Sequence, residues 1–467
     1  MPSQSKLILG AAVAGTVGAL VYLNWALQRK GRSTNKKDLP PACRRIQCPY
    51  VAATVTELFV HPVKSLRGYA VETAELTPTG IRYDREWIVV RRRDSKIMTI
   101  RELPCMVLLQ ATIAHGISKK GVALRFEPVN HPLNAGRPAF VLDTIDNSQD
   151  ATDSSQAPSL HDTTLSPSSF TEVDLWGMKG VVRHESRDVA KYISDFIQHH
   201  VNSNKNGEED EEAASGFDTM DSPSCNTLLK KKEEAQEEEE PPYFLGRIAT
   251  MRNPLENPKY RAGIPDPNQR VAMQDFTALQ IISQESLRDL ERRVQEEEGT
   301  STNTDPLYNV IQAERFRPNM VVSGSPAFDE DHWDEMEIMG PRHTTSEALQ
   351  LKVTKMTTRC AIPTVFMDGT RHPKYQPTKY LREKHGAIHI PVSDLVGGAA
   401  TVAPFVEAAS SASYKPIFGL NVSVKNNNNN KAAVDEEEGR TASTISVGDA
   451  IIVTRRINRA PCFAQKK

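Results

Sequence analysis

Cysteine is scarce in this chain, and what there is lies scattered. Cys43, Cys48, Cys105, Cys225, Cys360 and Cys462 are all there is in 467 residues, and no CxxC occurs. That excludes a zinc ribbon and a redox dithiol, and thiols this sparse suit a reducing compartment. The chain also has no P-loop, HExxH, GxSxG or GxGxxG. Nucleotide hydrolases, zincins, serine hydrolases and dinucleotide-binding enzymes therefore lack the loops their chemistry needs. Net charge is only −2, which gives no field for a nucleic-acid partner. No repeat of solenoid length recurs.

One uncharged run, LILGAAVAGTVGALVYLNWALQ at residues 7–28, is long enough to span a bilayer. Arg29, Lys30, Arg32, Lys36 and Lys37 follow it, against Lys6 before it, so the positive-inside rule places the bulk of the chain in the cytosol. Residues 1–28 are expected to form a transmembrane signal anchor and residues 29–50 a basic tether.

From Val51 the pattern turns strand-like. VTELFVHPVKS, AVETAEL, EWIVVRRR and KIMTI are rich in β-branched residues and are separated by turn signals. MVLLQATIAHGISKKGVALRF reads as a hairpin looping at residues 115–121, and TEVDLWGMKGVVRH as one strand. RDVAKYISDFIQHHV predicts a helix with Val189, Tyr192, Ile193, Phe196 and Ile197 on one face. TALQIISQESLRDLERRV predicts a strand feeding a helix, with Ser283 as N-cap and a stripe of Leu287, Leu290 and Val294. RFRPNMVVSG, LQLKVTKMTTRC and ISVGDAIIVTRR read as further strands, and TKYLREKHG as a short helix closed by Gly386. Segments 143–169, 202–241 and 424–441 are polar, charged or low in complexity. Closely spaced strands with few helices predict a β-rich α+β protein, built as small antiparallel barrels or sandwiches over 51–200 and 242–457.

Cations gather at strand ends. Lys64 and Ser65 follow one strand, Arg85 precedes another, Arg317 and Asn319 open a third, and Arg359 stands before Cys360. Each alone reads as an ordinary surface group. Together they suit an anionic group gripped bidentately by arginine. Cys360 reads either as a buried core thiol, or as a thiolate favoured by Arg359 and available to a soft metal or as a nucleophile.

The segments HPVKS, YDREW, RFRPNMVVSG with DEDHWDE, TRCAIPTV, PIFGLNV and ISVGDAI follow one another in that order. As a set they resemble the MOSC family, and within it the membrane-anchored mitochondrial amidoxime-reducing components. The resemblance implies a MOSC N-terminal β-barrel-like domain and a MOSC β-barrel domain behind the anchor. It implies that Cys360 ligates the molybdenum of a molybdopterin cofactor. Lys64, Ser65, Arg85, Arg317 and Arg359 would hold the pterin and its phosphate, joined by Asn319 and by a hydroxyl of Thr277 or Ser283. It further implies reduction of N-hydroxylated compounds, with electrons from a b-type cytochrome and an NADH-dependent cytochrome reductase. The implied location is the mitochondrial outer membrane facing the cytosol, or else the endoplasmic reticulum. The run Pro363–Asp368 departs from the family's Thr-Thr-Val-Asp-Pro-like stretch. Two other readings stay open: a carrier of cofactor or persulfide sulfur at Cys360, and a non-enzymatic membrane scaffold.

Overall fold

The computed structural model describes residues 49–77, 79–114, 121–145, 169–175, 177–205, 240–253, 270–275, 277–298, 310–340, 348–384, 416–425 and 443–457. The expected anchor over 1–28, the tether up to residue 48, most of the three low-complexity segments and Gly386 lie outside the described residues. No helix among the described residues is long and apolar enough to cross a membrane.

Seven strands close a barrel. In order around it they are Met320–Ser323, Leu279–Ser283, Ile417–Val424, Leu349–Thr358, Trp333–Met339, Ala450–Arg456 and Tyr50–Val60, which pairs back onto Met320–Ser323. All these pairings are antiparallel except Leu279–Ser283 with Met320–Ser323. Alternation in sequence becomes alternation in space. Leu351 and Val353 are buried in the barrel core with Leu58, Trp333, Met336 and Ile451, while Lys352 between them reaches Asp334 at 2.7 Å. The register of Leu349–Thr358 against Ile417–Val424 slips twice, between Val353 and Lys355 and between Met356 and Thr358. Such irregularities re-aim the chain, here just before Arg359 and Cys360.

The helix Gln284–Glu298 lies outside the barrel. Its Leu287, Leu290 and Val294 pack with Phe316 and Phe418, at the spacing of one helical face. The other domain combines a five-stranded sheet and a three-stranded sheet. The helix Arg187–Lys205 packs into the core they share: Val189, Ile193, Phe196 and Ile197 meet Trp87, Leu109 and Phe126 there.

Two findings depart from the sequence reading. TEVDLWGMKGVVRH is a hairpin, Phe170–Leu175 paired antiparallel with Met178–His184. Gly177 takes φ +77° and its N–H is accepted by Asp174 Oδ1 at 2.7 Å, an Asx-type turn that a strand pattern hides. The domains also exchange strands across the division made in the sequence. Tyr50–Val60 pairs within the barrel, and Tyr243–Ile248 pairs with Trp87–Arg91 and Met178–His184 in the five-stranded sheet.

Asp329 ties the barrel's last strand to its first. Arg456 donates to both its oxygens, at 2.6 and 2.9 Å, Trp333 Nε1 donates at 2.9 Å, and Tyr50 OH at 3.3 Å. Removing one member of a buried pair leaves the other charge uncompensated. Asp329→Ala is therefore expected to lower unfolding free energy by about 3–5 kcal/mol, read as a fall in the urea midpoint at neutral pH.

Candidate functional site

Three of the site residues expected from sequence occupy strained backbone. Ser65, Arg85 and Arg317 have φ of +71°, +56° and +53°. Non-glycine residues seldom adopt that region, and such strain persists where the surroundings over-determine it. Arg85 is fixed on both sides, its N–H donating to His61 O at 2.7 Å and its carbonyl accepting from Met273 N at 3.0 Å.

The cations converge, and backbone carbonyls orient most of them. Arg85 Nη2 donates to Arg317 O at 2.8 Å. Arg359 donates to Phe418 O at 2.9 and 2.6 Å and to Phe316 O at 3.0 Å, with its guanidinium 5.0 Å from the Phe316 ring centre. Phe418 is followed by Gly419 at φ +75°, where a Cβ would lie 2.5 Å from Ile281 O. Lys64 Nζ donates to Met273 O at 3.0 Å and to Asp275 Oδ1 at 2.6 Å. Burial lowers the pKa of Lys64, with Asp275 opposing. Burial, then Arg85, lowers Arg317 to about 9. Burial also lowers Arg359 to about 9, opposed by Cys360 and Asp275. Asp275 thus links Lys64, Arg317 and Arg359 into one electrostatic cluster, and through Arg359 it reaches the Cys360 end.

The sequence reading did not single out His61, Asp84 or Asp275. Asp84 is buried, accepts from His61 N at 2.9 Å and pairs with Arg85. Burial alone would raise its pKa, but Arg85 and His61 hold it below the usual carboxylate range. His61 is fully enclosed and pushed down to about 3, by burial first and then by Arg317 and Arg85.

Cys360 is a half-buried free thiol whose Sγ accepts from Ile362 N at 3.5 Å. Its carbonyl accepts from Thr378 Oγ1 at 3.2 Å. The departing run behind it is braced by Arg315, which donates to Pro363 O and Gln376 O, each at 2.8 Å, and stacks 4.6 Å from the Phe366 ring centre. Thr277 is buried with its hydroxyl on Leu279 O at 3.2 Å. Ser283 caps the helix Gln284–Glu298: its Oγ accepts from Ser286 N at 3.3 Å and donates to Glu285 Oε2 at 3.2 Å. Those contacts tie Ser283 to the helix rather than to the cations.

Among the described residues, two buried donors in the cluster, Arg317 Nη2 and Asn319 Nδ2, have no acceptor. Asn319 Oδ1 is already occupied, by Gln280 N at 3.1 Å and Arg85 Nη1 at 3.4 Å. Buried donors without partners are costly. Excess positive charge, two waiting donors and an adjacent thiol fit a sulfur-rich, phosphate-bearing group.

His61 gives this cluster a pH signature. Its folded pKa lies below the unfolded value of about 6.5. Its contribution is therefore full above that value and is lost as pH falls towards about 3. Between pH 7 and pH 5 the wild type should lose about 2 kcal/mol more stability than His61→Gln, measured by urea unfolding at both pH values.

Residues 52–200 match the MOSC N-terminal beta barrel domain, and residues 268–452 match the MOSC domain. The chain is similar to mitochondrial amidoxime-reducing component 1 of Mus musculus, 23% identical over 387 residues, covering 82% of this chain and 83% of that protein. It is similar to mitochondrial amidoxime reducing component 2 of Rattus norvegicus, 24% identical over 387 residues, covering 82% and 84%. Molybdenum cofactor sulfurase of Oryza sativa subsp. japonica is 22% identical over 281 residues, covering 60% of this chain and 25% of that protein. Lys64, Ser65 and Arg85 lie within the first match, and Thr277, Arg317, Asn319, Arg359 and Cys360 within the second. With both matches in their expected order and the cluster drawing on each, the chain belongs to the MOSC-domain family.

Proposed function

We propose that this protein is a molybdenum-cofactor-dependent reductase of N-hydroxylated compounds, such as amidoximes and hydroxylamines. One observation carries the reading: buried and half-buried cations oriented by carbonyls, with donors on Arg317 and Asn319 that have no acceptor among the described residues, stand in one cluster with the half-buried thiol of Cys360. The two amidoxime-reducing relatives, each matched over most of its length, support it.

In this reading Cys360 supplies a thiolate to the metal, a soft ligand for a sulfur-bound centre. Lys64, Arg85, Arg317 and Arg359 balance the anionic pterin, while Ser65, Thr277 and Asn319 add polar contacts. When bound, the cofactor supplies two-electron chemistry that takes oxygen from an N–OH group and, with two protons, releases it as water. The chain's own part is to fix the thiol's direction through Ile362 N and the brace of Arg315 on the following loop, and to shield the pocket with its buried walls. Having no motif for flavin or dinucleotide, it takes electrons from a b-type cytochrome served by an NADH-dependent cytochrome reductase. The run 7–28 would anchor it to a membrane, in this reading the mitochondrial outer membrane; the names of its relatives support the mitochondrion.

A second reading is favoured by the similarity to a molybdenum cofactor sulfurase. In it Cys360 carries a persulfide or the cofactor itself, and the protein hands it on.

Metal and pterin content decides first. Protein from a molybdenum-replete host should hold close to one molybdenum per chain, and Cys360→Ala should lose it by at least about tenfold. The loaded wild type should then reduce benzamidoxime with reconstituted donors. A well-folded wild type without molybdenum or pterin would sink the reductase and the cofactor carrier, and leave Cys360 as a persulfide or core thiol. A loaded protein unable to reduce N-hydroxylated substrates would leave the carrier.

A further inference from the structure

The pocket's charges meet on one exposed carboxylate. Asp275 Oδ1 is 2.6 Å from Lys64 Nζ, and Asp275 also favours the charged forms of Arg252, Arg317 and Arg359. The cluster's other carboxylate, Asp84, is buried and committed to Arg85 and the His61 N–H. Asp275 is placed differently. Its side chain is 52% exposed, whereas that of Lys64 is only 12% exposed. With Asp275 withdrawn, Lys64 keeps Met273 O at 3.0 Å as a fixed acceptor. Elsewhere in the cluster, Arg317 Nη2 and Asn319 Nδ2 are without acceptors. An arriving anion therefore meets waiting donors together with a like charge that already holds the lysine.

We propose that Asp275 is a competing counter-ion that sets the pocket's affinity for phosphate-type anions: it occupies Lys64, and an incoming phosphate group must take Lys64 from it. The proposal rests on reading this pocket as the seat of a phosphate-bearing pterin. A phosphate ester carries nearly two negative charges and several strong acceptor oxygens. It can answer the free donors of Arg317 and Asn319 and outbid a single carboxylate for Lys64. A neutral or singly charged ligand has less to offer and leaves the ion pair intact. The half-exposed carboxylate has water to return to, so its release costs less than that of a buried partner. Before the ligand arrives, the same carboxylate opposes the repulsion that Arg85 exerts on both Lys64 and Arg317. Asp275 thus acts on ligand charge, as a specificity-determining residue of the pocket.

Calorimetric titration of the cofactor-free full-length protein with inorganic phosphate, at constant ionic strength, tests this. Asp275→Asn is expected to bind phosphate about tenfold more tightly than wild type, since a like charge has gone and Lys64 is free. Asp275→Glu keeps the charge and should stay within about twofold of wild type. Arg317→Met should weaken binding in either background, which locates the phosphate in this pocket. Equal or weaker binding by Asp275→Asn would overturn the proposal and leave Asp275 as an anchor for Lys64. Binding that survives Arg317→Met, or no binding at all, overturns it too. The molybdenum content of Cys360→Ala bears only on the cofactor reading, so the two can fail separately.

Discussion

The site's cations are aimed by carbonyl oxygens, with a carboxylate on two of them, Asp84 on Arg85 and Asp275 on Lys64. Arg85 rests on Arg317 O, Arg359 on Phe316 O and Phe418 O, Arg315 on Pro363 O and Gln376 O, and Lys64 in part on Met273 O. A carbonyl is a neutral acceptor. It fixes the direction of a guanidinium without cancelling its charge, so the field remains for an anion to use. The arrangement is expensive in isolation, since burying charge without a counter-ion is unfavourable. The rest of the fold has to offset that cost, and the depressed pKa values of Arg317 and Arg359 record it.

The same constraint accounts for the backbone. Carbonyls can be aimed at a guanidinium only where the chain leaves regular pairing, because a strand's own acceptors are already used. Hence the left-handed turn at Arg317, whose carbonyl takes Arg85, the register slips before Arg359, and a glycine at position 419 after the Phe418 carbonyl. The short turn Ala313–Phe316 is the hub. Arg315 on it holds the loop behind Cys360, Phe316 O receives Arg359 and Gln280, and Arg317 at its end brings a buried donor to the cluster. One turn thereby sets both flanks of the thiol relative to the cations.

Legibility in the sequence follows from the same physics. Strand and helix periodicity announced five of the seven barrel strands, all but Trp333–Met339 and Ile417–Val424, and both long helices, because burial writes itself into side-chain spacing: Val189, Ile193 and Phe196 on one helix, Leu287, Leu290 and Val294 on the other. Cysteine and arginine at strand ends were visible as chemistry. The hairpin at Gly177 was not, since its Asx turn occupies two positions within an apolar run. Nor was the membership of Tyr243–Ile248 in the five-stranded sheet, which depends on partners more than fifty residues away in sequence. Asp275 was missed because its partner Lys64 is distant in the chain, and His61 and Asp84 because only the fold brings them together beside Arg85. Carbonyl acceptors leave no trace in a sequence, since every residue has one.

The strand Tyr50–Val60 closes the barrel against Met320–Ser323 on one side and Ala450–Arg456 on the other. During synthesis its second partner emerges after every other strand of the barrel. The barrel therefore cannot seal until Ala450–Arg456 has left the ribosome, and pairings this distant in sequence are slow to form. Until then the nascent chain must carry an open sheet edge and an unfinished site. Whatever keeps that edge from pairing wrongly has to act before the pocket exists.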